Sequence, residues 1–319
     1  MSEPRRLLII KPSSLGDIVH ALPAVGRLRQ HFPSAHLAWV IQPAFAPILA
    51  GNPDVDERIL FPRDDFRGLV GLRRFWRYLR EFPGPWDRVI DFQGLLRSAL
   101  IGLASQPGQF IGPTDAREGA RLFYDHAGPF ADPHAVSRNL AVAAAAGAGK
   151  GEVRFPLPAG HPPVGFDPSP YVLLHPFSRG AGKSLSEEMV MEFVQRLEPR
   201  RVVIVGRRYH NGLRLPGNGE DWINRTRLSE LVALMRGAEA VVSVDSGPMH
   251  LAAAVNPNVL SLHTWTDPSR VGPWQAEADV WKNGRIATRS MIDDPRPGRW
   301  PETADLDQWI TWVREKTGH

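Results

Sequence analysis

Leu7-Leu8-Ile9-Ile10-Lys11-Pro12-Ser13-Ser14-Leu15-Gly16-Asp17 runs from four aliphatic residues into a small polar loop, then into a helical pattern over Ile18–Phe32. An aliphatic run bounded by turn residues is the pattern of a strand buried on both faces, and a helix directly after it makes a βα unit. Pro23 falls early in that helix, which is therefore expected to start twice or to bend there. Gly16 allows close approach of a backbone or a ligand. Asp17 stands beyond the strand's carboxyl edge, where open α/β sheets collect their ligands. It has two readings at this point, a group of chemistry or a member of a helix cap. The three-glycine spacing of a dinucleotide fingerprint is missing, so an NAD-type first domain is not expected.

Outward from this stretch, short β-rich runs alternate with helical patterns along the whole chain, the sign of parallel α/β layers. Leu7–Ile10, Leu37–Ile41, Arg58–Phe61 and Arg88–Asp91 read as strands, with helices near Ile18–Phe32, Phe45–Gly51 and Leu69–Phe82. Pro156, Pro158, Pro162, Pro163, Pro168 and Pro170 then form a stretch that can continue neither a helix nor a central strand, and it reads as an extended linker. The alternation restarts after it. Tyr171–His175, Arg201–Val205, Ala240–Val244 and Asn258–His263 are predicted strands, with helices at Glu187–Leu197, Leu228–Arg236 and Gly247–Val255. A last helix carries Leu306, Trp309, Ile310 and Val313 at helical spacing. Two α/β halves of this kind can turn the carboxyl ends of their strands toward one cleft.

Length agrees, since 319 residues exceed one ordinary hydrophobic core. A hydrophobic fraction of 43% and a charged fraction of 23% are those of a globular chain. With no cysteine, disulfide scaffolds, thiolate metal sites and cysteine nucleophiles are excluded. The start carries no secretory pattern, and the alanine-rich stretch from Leu140 to Gly149 is too short to span a bilayer, so a soluble, unprocessed protein without a transmembrane segment is expected. The net charge is +4, and Arg58, Arg63, Arg67, Arg73, Arg74, Arg77 and Arg80 crowd one segment beside Glu57, Asp64, Asp65 and Glu81. The segment reads as a solvated mixed-charge face or as a surface for an anionic partner. Nucleic acid is not expected, because no helix-turn-helix, zinc or aromatic-basic pattern accompanies the charge.

Three further stretches carry chemistry. Ala240–Val244 leads into Asp245-Ser246-Gly247-Pro248-Met249-His250, an apolar strand running into a helix start whose amides suit an anion such as a diphosphate. Leu173-Leu174-His175 opens into Pro176-Phe177-Ser178-Arg179-Gly180-Ala181-Gly182-Lys183, a glycine-containing loop with two cations on the same sheet edge. Asp91-Phe92-Gln93-Gly94 ends another strand of the first half. Metal chemistry has little support: the histidines are scattered, and Asp54 and Asp56 lie in a turn where solvation is expected. No nucleophile elbow is present.

Taken in order, Lys11-x-Ser13-Ser14-x-Gly16-Asp17, Asp91-x-Gln93-Gly94-Leu95 and Ser243-Val244-Asp245-Ser246-Gly247-x-x-His250 resemble glycosyltransferase family 9. Asp115-Ala116-Arg117-Glu118 with Leu122-Phe123-Tyr124, and His134-Ala135-Val136 with Arg138, extend the likeness over nearly the whole chain. The resemblance implies an α/β GT-B fold: a Rossmann-like acceptor domain at 1–158, a linker at 159–170, a Rossmann-like nucleotide-sugar domain at 171–302, and a helix at 303–319 that crosses back to the first domain. It implies inverting, metal-independent transfer of a heptose from an ADP-sugar, a co-substrate rather than a cofactor, to an inner-core lipopolysaccharide hydroxyl. Asp17 would be the catalytic base. Ser178, Lys183, Asp245, Ser246, Gly247 and His250 would bind the donor. Ser14, Gly16, Arg73, Arg74, Gln93, Arg117 and Arg138 would serve an anionic glycolipid acceptor, placing the enzyme in the cytoplasm, peripheral on the inner face of the cytoplasmic membrane. The alternatives are a GT-B-like sugar-nucleotide epimerase or hydrolase, or a transferase with another donor. On the donor side the chain departs from the family pattern: Arg179 to Lys183 is one residue longer, the tryptophan after that lysine is missing, and Arg207-Arg208-Tyr209-His210-Asn211 replaces a glutamate after Gly206.

Overall fold

The computed structural model describes residues 3–178, 182–208, 212–292 and 297–318. The chain divides into two compact units, Met1–Pro158 and Ala159–His319.

The first unit runs β1 (Arg6–Ile10), α1 (Leu15–His31), β2 (His36–Ile41), β3 (Glu57–Leu60), α2 (Gly68–Arg80), β4 (Trp86–Asp91), α3 (Leu96–Ala104), β5 (Pro107–Pro113), β6 (His126–Gly128) and α4 (Ala135–Ala145). Its sheet is parallel throughout in the order β3-β2-β1-β4-β5-β6. Leu7 to Ile10 are wholly buried, as expected of a central strand with both faces covered. Pro23 lies inside one continuous α1, so the expected second start does not occur. Phe45–Gly51 forms only a short 3-10 turn at Ala46–Leu49. Asp54, expected in solvent, is buried and paired with Arg154, while Asp56 holds Arg29 and the Leu37 amide.

The second unit runs β7 (Val172–His175), α5 (Glu187–Arg196), β8 (Val202–Ile204), β9 (Gly219–Asp221), α6 (Leu228–Gly237), β10 (Ala240–Val244), α7 (Gly247–Val255), β11 (Val259–Leu262), α8 (Pro268–Val271), β12 (Asp279–Lys282), β13 (Arg285–Thr288) and α9 (Leu306–Thr317). The sheet order is β13-β12-β11-β10-β7-β8-β9, with β13 alone antiparallel to its neighbour. Without β13, each sheet repeats one order: the first strand of the unit sits centrally, the second and third on one side, the fourth to sixth on the other. Connections from the two central strands depart in opposite directions, and this switch point opens a crevice at their carboxyl ends.

Two expected boundaries change. The stretch 159–170 belongs to the second unit: Phe166 meets the rings of Tyr171 at 5.1 Å and Trp222 at 5.7 Å, and Arg201 donates to the carbonyls of Asp167 and Ser169. The apolar stripe of α9 does not leave this unit either. Leu306, Trp309, Ile310, Trp312 and Val313 join its core, packed with residues of α5 and β10. A stripe that must leave water is satisfied by the nearest apolar face of its own sheet layer.

Candidate active site

The first crevice lies between the loops that follow β1 and β4. Register sets Ile10 beside Val40 and Asp91, so Lys11 emerges between the ends of β2 and β4. Ser14 is the N-cap of α1 and Gly16 its second residue, buried; Asp17 closes a capping box. The Ser14 N–H and hydroxyl both donate to Asp17 Oδ2, at 2.9 and 2.6 Å. Asp17 Oδ1 lies 3.7 Å from Lys11 Nζ, and 45% of the Asp17 side chain stays exposed whereas Lys11 is buried. Burial pushes the Lys11 ammonium below its ordinary pKa, with Asp17 opposing and Arg138 adding to the shift. One oxygen of this carboxylate therefore closes the cap, and the other faces Lys11.

Phe92 O draws two cations together, accepting from Lys11 Nζ at 3.3 Å and Arg138 Nη1 at 3.0 Å. Arg138 also grips Asp115 through Nε at 2.8 Å. Gly94, at φ +70, makes the turn that lets the Arg117 amide donate to its carbonyl at 2.9 Å; the Arg117 side chain is exposed. Gln93 adjoins them, its Oε1 buried without a partner. Asp91 accepts from Ser98 Oγ and Tyr124 OH, both at 2.7 Å, and from the amides of Gln93 and Gly94. It is wholly buried, and burial raises its pKa against those four bonds. Asp91 braces the loop and offers no exposed oxygen. Arg73 and Arg74 lie on the exposed side of α2, a helix that packs on α3 and the Arg63–Phe66 turn.

The second crevice lies between the loops after β7 and β10. Lys183 Nζ donates to Asp245 Oδ2 at 2.7 Å and sits 4.9 Å from the Trp265 ring centroid. Ser178 Oγ reaches Asp245 O at 3.4 Å, and its amide is held by Ser184 Oγ. Ser246 is the N-cap of α7, but its hydroxyl turns back to Val244 O at 3.0 Å and caps no amide; Gly247 and Pro248 open the helix. The amides and dipole of that helix start face whatever anion the loop receives. Burial opposes the charge on Asp245; His263, Lys183 and His250 outweigh it and hold the carboxyl below its usual range. His175 and His263, buried, are both pushed down to about 4, chiefly by burial, and are neutral at pH 7.

The six expected donor residues are thus gathered around one ion pair. Arg179 and Tyr209–Asn211 lie outside the described residues. Arg208 folds back instead, pairing with Glu187 over the Phe177 ring. Lys11, Trp265 and His263 carry parts of the two crevices that sequence reasoning left without a role. Lys11 follows the central strand directly. Trp265 and His263 follow β11, the neighbour of β10, and the rule that chemistry gathers at strand carboxyl ends applies to that strand as well. Among the described residues no three His, Asp or Glu side chains converge as a metal site.

Two Rossmann-like units, one offering a half-exposed carboxylate and the other a lysine beside a helix N-terminus, define a group-transfer enzyme of the GT-B class. The profile of glycosyltransferase family 9 (heptosyltransferase) matches residues 72–198 and 208–292, and the chain belongs to that family. It is 31% identical to lipopolysaccharide heptosyltransferase 1 of Pseudomonas aeruginosa, across 84% of this chain and 81% of that one. Its fold is that of E. coli heptosyltransferase WaaC solved with ADP (TM-score 0.75, 24% identity, 98% and 99% of the two chains). The same enzyme solved with ADP-2-deoxy-2-fluoro heptose superposes similarly (TM-score 0.72, 23% identity, 96% and 99%).

Proposed function

We propose that this glycosyltransferase moves a heptose from ADP-heptose to a hydroxyl of inner-core lipopolysaccharide, with inversion and without a metal ion. The observation that carries the reading is the Lys183–Asp245 pair at 2.7 Å beside the α7 N-terminus, which no side chain caps. An ammonium has three donor hydrogens; one goes to Asp245, and the others suit phosphate oxygens. Lysine and helix amides together can stabilise the negative charge that a divalent cation would otherwise take.

In this mechanism Asp17 accepts the proton of the acceptor hydroxyl as its oxygen attacks the anomeric carbon. The bond from that carbon to the diphosphate oxygen breaks on the opposite face, inverting the centre, and ADP leaves with the bonding electrons. Lys183, Ser178 and the amides at Ser246 and Gly247 meet the developing charge, while Asp245 and His250 address the donor. Arg117, exposed, is available to acidic groups of the acceptor; Arg138, bound to Asp115 and Phe92 O, shapes the loop that carries it.

The names of the relatives support the heptose, the ADP leaving group and the lipopolysaccharide acceptor. ADP should raise the melting temperature more than UDP or GDP, since a ligand that binds only the native state stabilises it. Turnover should persist in excess chelator, and Lys183→Ala should weaken ADP binding and slow turnover together. Equal protection by UDP would overturn the donor, and rescue of a chelator-silenced enzyme by magnesium would overturn metal independence.

A further inference from the structure

Exposed large apolar side chains crowd one helix of the first unit. On α2, Leu69 is 86% exposed, Val70 65%, Leu72 51% and Trp76 52%. The helix is anchored from its other side: Gly71, Phe75 and Leu79 are buried and Tyr78 half-buried. With 3.6 residues per turn, Leu69, Leu72 and Trp76 form one band, and Arg73, Arg77 and Arg80 form a stripe directly beside it. These arginines and Arg74 are exposed, none is held in an ion pair among the described residues, and the helix itself carries no acidic residue.

A solvated helix face has no use for an outward tryptophan and three outward aliphatics. A helix lying in a bilayer interface has use for both bands, apolar side chains entering the acyl boundary and arginines meeting anionic headgroups. Among the described residues no helix is long and apolar enough to cross a membrane, so such contact would be made from the surface. A second copy is the poorer occupant: an isologous contact through α2 would bring two unpaired arginine stripes together.

We propose that α2 is the element by which this enzyme docks on an anionic lipid surface, Leu69, Leu72 and Trp76 inserting while Arg77 and Arg80 bind headgroups. The proposal deepens the reading of a membrane-borne acceptor and rests on it. The purified full chain should co-sediment with vesicles containing one third phosphatidylglycerol and stay in solution with phosphatidylcholine alone. Binding should fall once salt cuts the Debye length to about 3 Å. Each headgroup-facing arginine is worth about fivefold, so Arg77→Ala with Arg80→Ala should weaken partition about 25-fold. Leu69→Ser with Trp76→Ser should weaken it about tenfold or more. Both variants should keep wild-type ADP protection and wild-type turnover of a water-soluble, delipidated core saccharide, and lose turnover only on vesicle-embedded acceptor.

Three results would overturn the docking role: wild-type protein that ignores anionic vesicles, variants that bind them unchanged, or a concentration-dependent dimer in sedimentation velocity that Leu69→Ser with Trp76→Ser abolishes. Vesicle binding needs neither donor nor acceptor. Absence of turnover on the soluble saccharide would therefore strike the functional reading alone, leaving vesicle binding to decide the docking.

Discussion

At the scale of single residues, the proposed mechanism asks Asp17 to meet two demands that are usually alternatives. Its Oδ2 closes the α1 capping box, and its Oδ1 lies near Lys11 with much of the side chain open to solvent. A helix cap needs an acceptor oxygen; a general base needs a proton-accepting carboxylate. Asparagine separates the two demands. Asp17→Asn should leave the melting temperature and ADP affinity close to wild type, because an asparagine Oδ1 at this third helical position can still accept from the Ser14 N–H and hydroxyl. It should lower kcat by about 10²–10⁴, the usual worth of a general base. Near-native kcat at saturating acceptor would make Asp17 a cap and nothing more. Asp91 could not then take its place, since it is buried under four donated hydrogen bonds.

At the scale of elements, α9 is the clearest case of an apolar stripe whose destination its own residues leave open. The Trp309 ring is fully buried and meets Trp281 edge-on at 5.7 Å, while Trp312 Nε1 donates to Asp279 Oδ2 at 2.8 Å. Trp309→Ala should therefore destabilise the second unit by about 3–5 kcal/mol in denaturant unfolding, the range for emptying an aromatic site in a packed core. Trp309→Phe should recover most of that loss, because the Trp309 indole N–H is buried without an acceptor and phenylalanine removes the orphan donor along with part of the ring. If Trp309→Ala moves the unfolding midpoint by an amount worth under about 1 kcal/mol, α9 contributes little to this core. The connection at 159–170 follows the same logic, its prolines extended over the second unit and its Phe166 packed on Tyr171 and Trp222.

At the scale of the whole molecule, the second unit carries a built-in acid weakness that the described histidines of its crevice create. His175 and His263 are buried neutral, with pKa values lowered from 6.5 to about 4. The unfolded chain binds protons at these rings where the folded chain does not. Their contribution is thus fully present above the unfolded value near 6.5 and is lost as pH falls from there toward 4, by about 3 kcal/mol per ring at most. Guanidinium midpoints of the second-unit transition should fall steadily from pH 6.5 to 4, and His175→Gln should flatten part of that slope. An unchanged midpoint across the range would mean that both rings take up protons in the folded state.

Much of this protein is determined locally. Four aliphatic residues before Lys11, and the apolar run Ala240–Val244 before Asp245, can only be central strands, because nothing else buries both faces of so short a segment. Small polar residues after them mark helix starts, so the two crevices are legible from spacing, while the roles of Asp17, Arg117 and Arg138 enter only with the family resemblance. The strand β5 is not legible, since Pro107, Gly108, Gly112 and Pro113 are residue types that strands usually avoid. Its glycine is explained only by its neighbour: a Cβ on Gly112 would lie 2.2 Å from the Tyr124 ring. Tertiary structure likewise decides that Arg138 is clamped by Asp115 and Phe92 O, that Asp54 is buried, and that α9 stays with the second sheet. Periodicity records which face must leave water, but the surface that receives it is settled by long-range packing, where pattern along the chain carries no address.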